Sequence, residues 1–194
     1  MRITIPHCTT GATLFEIECP RHLLDAKFGA RLGWAARQAV TQGINLSGAM
    51  LTRARLTGAR LIGARLIGAD LTDAVLNCAD LTGAVLTRAR LEGAWLIDAD
   101  LTDADLTGAD MTGAWMNGAR LAGTVLDGAR MYRVRFDGAR LIGARLDGTV
   151  LARAVLTGAR LLIGRQPCEQ PPQQESHHAH HDPALHDGCD PVRD

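Results

Sequence analysis

Close to the C-terminus the chain crowds His177, His178, His180, His181 and His186 around Asp182, Asp187 and Cys189. Neutral imidazoles at this density are ligands for Zn²⁺ or Ni²⁺. A low-complexity tract holds no geometry, however, so no metal or cofactor is assigned to it. The remaining histidines are His7 and His22. Neither lies in a recognisable nucleophile–base–acid set, and no phosphate loop or carboxylate pair with a partner histidine is present. The residues read as those of a protein that is not an enzyme. What stands out instead is exposed-type chemistry at fixed spacing: Trp95 and Trp115 twenty residues apart, with Val75 and Arg135 continuing the same step. Tryptophan beside arginine is the composition of contact surfaces.

The element that must position these residues is a repeat. From Leu46 to Leu161 every fifth residue is Leu, Met or Phe, at 24 consecutive positions. Two residues before each stands Ala, replaced only by Ile44, Thr124, Val134 and Thr149; two residues after, 15 of the 24 are Gly. The unit is A-x-L-x-G, as in Ala59-Arg60-Leu61-Ile62-Gly63. A helix would scatter residues five apart around its axis. A straight strand would send alternate leucines into water. Only a chain that turns a corner once per repeat aims every Leu inward, and Gly suits the corner because it accepts positive φ.

These units closely resemble the pentapeptide repeat family, over residues 44–163. The resemblance implies an all-β solenoid, a right-handed quadrilateral β-helix with four repeats per coil. Twenty-four repeats then make about six coils, and at roughly 4.8 Å between stacked strands the rod is about 30 Å long. No loop or broken repeat interrupts it. The best-known activity in the family is mimicry of duplex DNA by an acidic rod that binds gyrase, and that branch tends to carry Phe where this chain carries Leu.

Four repeats per coil would stack residues twenty apart on one face. One face then carries Arg55, Val75, Trp95, Trp115, Arg135 and Val155, and the next carries Arg60, Asp80, Asp100, Arg120, Arg140 and Arg160. Charge is banded along the repeat. Residues 53–65 hold four Arg and no acid; residues 70–110, including Asp100 and Asp105, net −7; residues 111–163 net +5. Duplex DNA carries a charge per ~1.7 Å of axis. An acidic belt between basic ends is a poor copy of that stripe, so gyrase is disfavoured as a partner. Direct nucleic-acid binding is not expected either, because the arginines spread over all faces and the whole chain balances 21 basic against 21 acidic residues. The expected role is a non-catalytic protein-interaction or structural scaffold. The candidate contact surfaces are the tryptophan face, with Trp95, Trp115, Val75 and Arg135, and the charge belt, with Asp100 and Asp105; self-association through a rod end or the tryptophan face is one form.

Stacked coils need covered ends. Residues 1–43 are expected to form an N-terminal cap: β-like stretches at Ile3–Ile5 and Ala12–Glu18, then an amphipathic helix over 21–42 with Leu24, Phe28, Leu32, Ala35 and Val40 near one face and Gly43 as its stop. This strand–helix lead-in resembles one found ahead of the first coil in bacterial members of the family. At the other end, Leu161-Leu162-Ile163 would cap the last coil or bury against a second copy. Residues 164–194, rich in His, Pro and Gln, are expected to be disordered. The five cysteines are scattered and odd in number, which fits free thiols in a reducing cytoplasm. No apolar run reaches membrane-span length, and no membrane association is expected.

Overall fold

The structure is a computed structural model, and it describes residues 1–162. The expectations for the His-rich tail, for Ile163 and for disorder over 164–194 fall outside those residues.

Each repeat makes one tight turn. The amide at each inward Ala position donates to the carbonyl of the Leu, Met or Phe three residues earlier, as Ala54 N to Leu51 O at 3.0 Å. The third residue of this turn has positive φ at all fifteen glycines of the repeat, for example Gly63 at 63°. The type II turn requires that sign and favours glycine. Where glycine is missing, Arg53, Asp73, Cys78, Arg88, Asp98, Asp103, Arg133 and Arg153 are held at φ between 56° and 59°. The repeat imposes the left-handed corner on side chains that disfavour it.

Successive turns stack in parallel. The residue before each Leu bridges its counterpart twenty residues on: Met50 to Asp70, Arg55 to Val75, Arg60 to Asp80, Arg65 to Val85, and onward to Arg135 with Val155. These bridges run as four ladders around a right-handed β-helix. Leu71 N donates to Arg90 O at 2.7 Å and Asp70 N to Ala49 O at 2.9 Å, so each turn bonds the one on either side. Within the repeat, a continuous strand pair appears only between β3 (Arg140–Ile142) and β4 (Arg160–Leu162) among the described residues.

The interior is a column of Leu and Ala. From Leu46 to Leu141 the inward Leu, Met and Phe residues are buried, and so are the Ala residues between them. Thr124 occupies one Ala position; its hydroxyl donates to Leu101 O at 2.7 Å, which satisfies the one polar side chain buried there. Burial fades beyond Leu141, and Leu156 is 42 % exposed.

The N-terminal residues pack on the first turn. Strands β1 (Arg2–Pro6) and β2 (Thr13–Glu18) form an antiparallel hairpin. Pro6 O accepts from Met50 N at 2.8 Å, and His7 bridges Ala49. Helix α1 spans Phe28–Thr41, shorter than the 21–42 expected. After Pro20 the chain makes a 3₁₀ turn at Arg21–Leu23 before the helix begins. Leu24 stays in the connection, 43 % exposed, and Phe28 is 63 % exposed at the helix start, so neither belongs to the packed face. The buried face is Leu32, Gly33, Ala35, Ala36 and Ala39. Gly29 and Gly33 lie directly on the backbone of Arg53 and Arg55, and Gly29 O accepts from Arg55 N at 2.9 Å. The helix ends in a Schellman motif: Gly43 at φ 69° donates to Val40 O at 2.9 Å, and Ile44 N to Ala39 O at 2.9 Å.

Candidate functional site

The candidate contact residues sort by ladder. Val75, Trp95, Trp115 and Arg135 lie on one ladder in consecutive turns. The indoles stack with centroids 5.8 Å apart and planes inclined by 24°. Arg135 places its guanidinium carbon 4.5 Å from the Trp115 ring centroid, a cation–π contact, while its Nε lies 3.8 Å from Asp137. Trp95 remains 46 % and Trp115 37 % exposed. Trp115 is thus packed between Trp95 and Arg135, and both indoles keep part of their surface in solvent.

The two acids are not brought to this face. Asp100 stands on the next ladder, between Asp80 and Arg120, and Asp105 on the ladder beyond, between Val85 and Val125. Both are tied into the stack. Asp100 pairs with Arg120 at 3.6 Å; Asp105 accepts from Thr107 N at 2.9 Å and from the Thr87 hydroxyl at 3.1 Å. The same Asp-Leu-Thr turn recurs at Asp70, where Oδ1 accepts from Thr72 N at 3.0 Å. This is an Asx-turn, with a carboxylate capping a backbone donor two residues on.

Burial raises the carboxyl pKa of Asp70, Asp100 and Asp105, but hydrogen bonds from the following threonine and a nearby guanidinium outweigh it. All three are held below the usual aspartate range. A lowered folded pKa contributes stability above the unfolded value of about 3.9 and loses it as pH falls through the folded values. The melting temperature is therefore expected to hold between pH 7 and 5 and to fall progressively below about pH 4. In Thr102→Val the acid-induced fall should be smaller, because one of the bonds that lowers Asp100 is gone. Melts at pH 7, 4 and 2.5 check this; identical midpoints at all three would contradict it.

Much of the acidic belt is answered from the next turn. Asp70 pairs with Arg90 at 3.5 Å and Asp110 with Arg130 at 3.4 Å. Among the described residues no three of His, Cys, Asp and Glu converge as metal ligands, and Cys8, Cys19 and Cys78 are free thiols. No helix among the described residues is long and apolar enough to cross a membrane.

A surface that sequence reasoning missed is the helix-to-turn seam at Gly29 and Gly33. Its signal, two glycines four apart on a helix, was present in the sequence. Such spacing marks close backbone approach, whereas large apolar residues mark an ordinary packed stripe.

A family model described as pentapeptide repeats, in eight copies, matches residues 36–66, 64–103, 104–141 and 135–162. Among solved structures, Rfr23, a pentapeptide repeat protein from the cyanobacterium Cyanothece 51142, is 34 % identical; the match covers 47 % of this chain and 58 % of that one, with a TM-score of 0.39. A pentapeptide repeat protein of the Arabidopsis thaliana thylakoid lumen is 35 % identical over 55 % of this chain and 68 % of that one, TM-score 0.39. HetL, a pentapeptide repeat protein involved in heterocyst differentiation regulation from Nostoc sp. PCC 7120, is 29 % identical over 59 % and 75 %, TM-score 0.33. The chain thus spans less than two thirds of the length of Rfr23. No curated protein matches.

Proposed function

Because the chain belongs to the pentapeptide repeat family, we propose that it is a non-catalytic protein-interaction scaffold of about six coils, with the Trp95–Trp115 face as its contact surface. The observation that carries this reading is the stacked, half-exposed tryptophan pair with Arg135 over it. Buried at a contact, tryptophan and arginine are the side chains that dominate binding energy. The fold spends its inward positions on packing and its backbone on ladders, so recognition falls to outward residues such as these. A cytoplasmic location is part of the proposal and rests on the free thiols.

The duplex-mimic reading, with gyrase as partner, draws less support. Asp70, Asp100 and Asp110 are each paired with an arginine one turn on, which breaks up the negative stripe that mimicry needs.

The full chain immobilised as bait, as wild type and as Trp95→Ser/Trp115→Ser, tests the scaffold reading. Loss of about 2 kcal/mol at such a contact corresponds to roughly 30-fold weaker capture of its binding protein from the native host. Equal capture by both baits would remove the face from the binding role.

A further inference from the structure

The order of residues along the tryptophan ladder says what it fits. In consecutive turns it reads Val75, Trp95, Trp115, Arg135, Val155. Reversed about Trp115, this order is complementary to itself: Val75 meets Val155, Trp95 meets Arg135, and Trp115 meets Trp115. One of the two corners bordering the face has the same property; the other, with Cys78, Asp98, Gly118, Gly138 and Gly158, does not. The first carries Asp73, Gly93, Gly113, Arg133 and Arg153, each at positive φ in its turn, and reversal about Gly113 sets Asp73, which lies 3.6 Å from Arg53 in its own chain, against Arg153.

Two copies of one face can meet across a two-fold axis that lies between them and crosses the stacks. The copies then run antiparallel, ladder on ladder and the same corner on the same corner. From this we infer that the tryptophan face binds a second copy of this chain, antiparallel, with the two-fold axis at Trp115. The inference rests on the reading of this face as an interaction surface. Arg135 of each copy lies over Trp95 of the other, repeating between chains the contact it makes with Trp115 at 4.5 Å within its own.

Charge selects this register. Beside Asp73 and Arg153, the same corner sets Glu92 against Arg133, whereas Asp100, Asp105, Arg140 and Arg145 stand on other ladders and take no part. An axis midway between Trp95 and Trp115 would keep one opposed pair, Asp73 on Arg133, but set Arg53 on Arg153 and Val75 on Arg135. A parallel pair would lay Arg135 of one copy on Arg135 of the other.

Sedimentation of the purified full chain at low salt tests the inference. The mass is expected to rise with concentration from 20.7 kDa toward twice that value, and to shift back as salt is added. D73R and R153D should each weaken the dimer roughly tenfold, and the double variant D73R/R153D should recover most of that loss, because the two charges meet between chains. R135E, at an exposed position, should weaken it comparably if either swap variant melts abnormally. A chain that stays monomeric at all concentrations overturns the inference, while the host-capture experiment still decides the scaffold reading. A dimer untouched by W115S and R135E, or a double swap no better than its parents, also overturns it.

Discussion

Gly33→Ala should unseat the N-terminal module from the first turn. In an ordinary helix this change stabilises by about 0.5–1 kcal/mol. Here the added Cβ would drive into the Arg55 carbonyl, only 2.6 Å from its carbon. That neighbour is backbone, fixed by Leu56 N bonding to Val75 O at 2.7 Å and by Arg55 N bonding to Gly29 O at 2.9 Å. The helix must move away, and overpacking of this kind costs about 1–3 kcal/mol. The propensity gain recovers only part of it. The expected signature is a lower melting temperature together with faster amide exchange at Arg55 and Met50, whose acceptors belong to the displaced segment. A variant as stable as the parent, with those amides still protected, would refute close packing at the seam.

The second large effect depends on place in the stack. Leu101 is fully buried between turns, and neighbouring turns locked by ladders on both sides cannot collapse into the hole. Leu101→Ala is expected to cost about 2–5 kcal/mol. Leu156, chemically the same repeat position, is 42 % exposed, so Leu156→Ala should cost less than about 1 kcal/mol. Denaturant titrations of the two variants compare them directly. Equal losses would mean that the described end of the stack is as tightly covered as its middle.

The repeat was legible in the sequence because a period of five matches neither helix nor strand. Only a cornered chain buries Leu61, Leu66 and Leu71 alike. The tryptophan ladder was legible from the same source, once four repeats were taken to close a turn. The twenty-residue step likewise places Asp100 on the next face within the acidic belt, but the threonines and arginines that hold Asp100 and Asp105 in the stack were not legible. Helix α1 was placed by its large apolar residues. Its packed face is instead marked by small ones, Gly33, Ala36 and Ala39, since a helix lying on another backbone needs room more than it needs bulk. Eight non-glycine residues at the left-handed corner were in phase with the glycines but gave no sign of their backbone. Only the stacking of neighbouring turns forces it on them.

The twenty-residue closure of each turn also sets a rule for how such a chain can lengthen or shorten. Inserting one five-residue unit between Trp95 and Trp115 would leave every leucine inward and the core intact. It would nevertheless advance all later positions by one ladder, carrying Trp115 and Arg135 to a different side from Trp95. Insertions or deletions of twenty residues alone preserve both the packing and the pattern written on the outside. A protein of this kind can thus keep its stability through a change of length that erases its recognition surface, and the two properties are heritable apart.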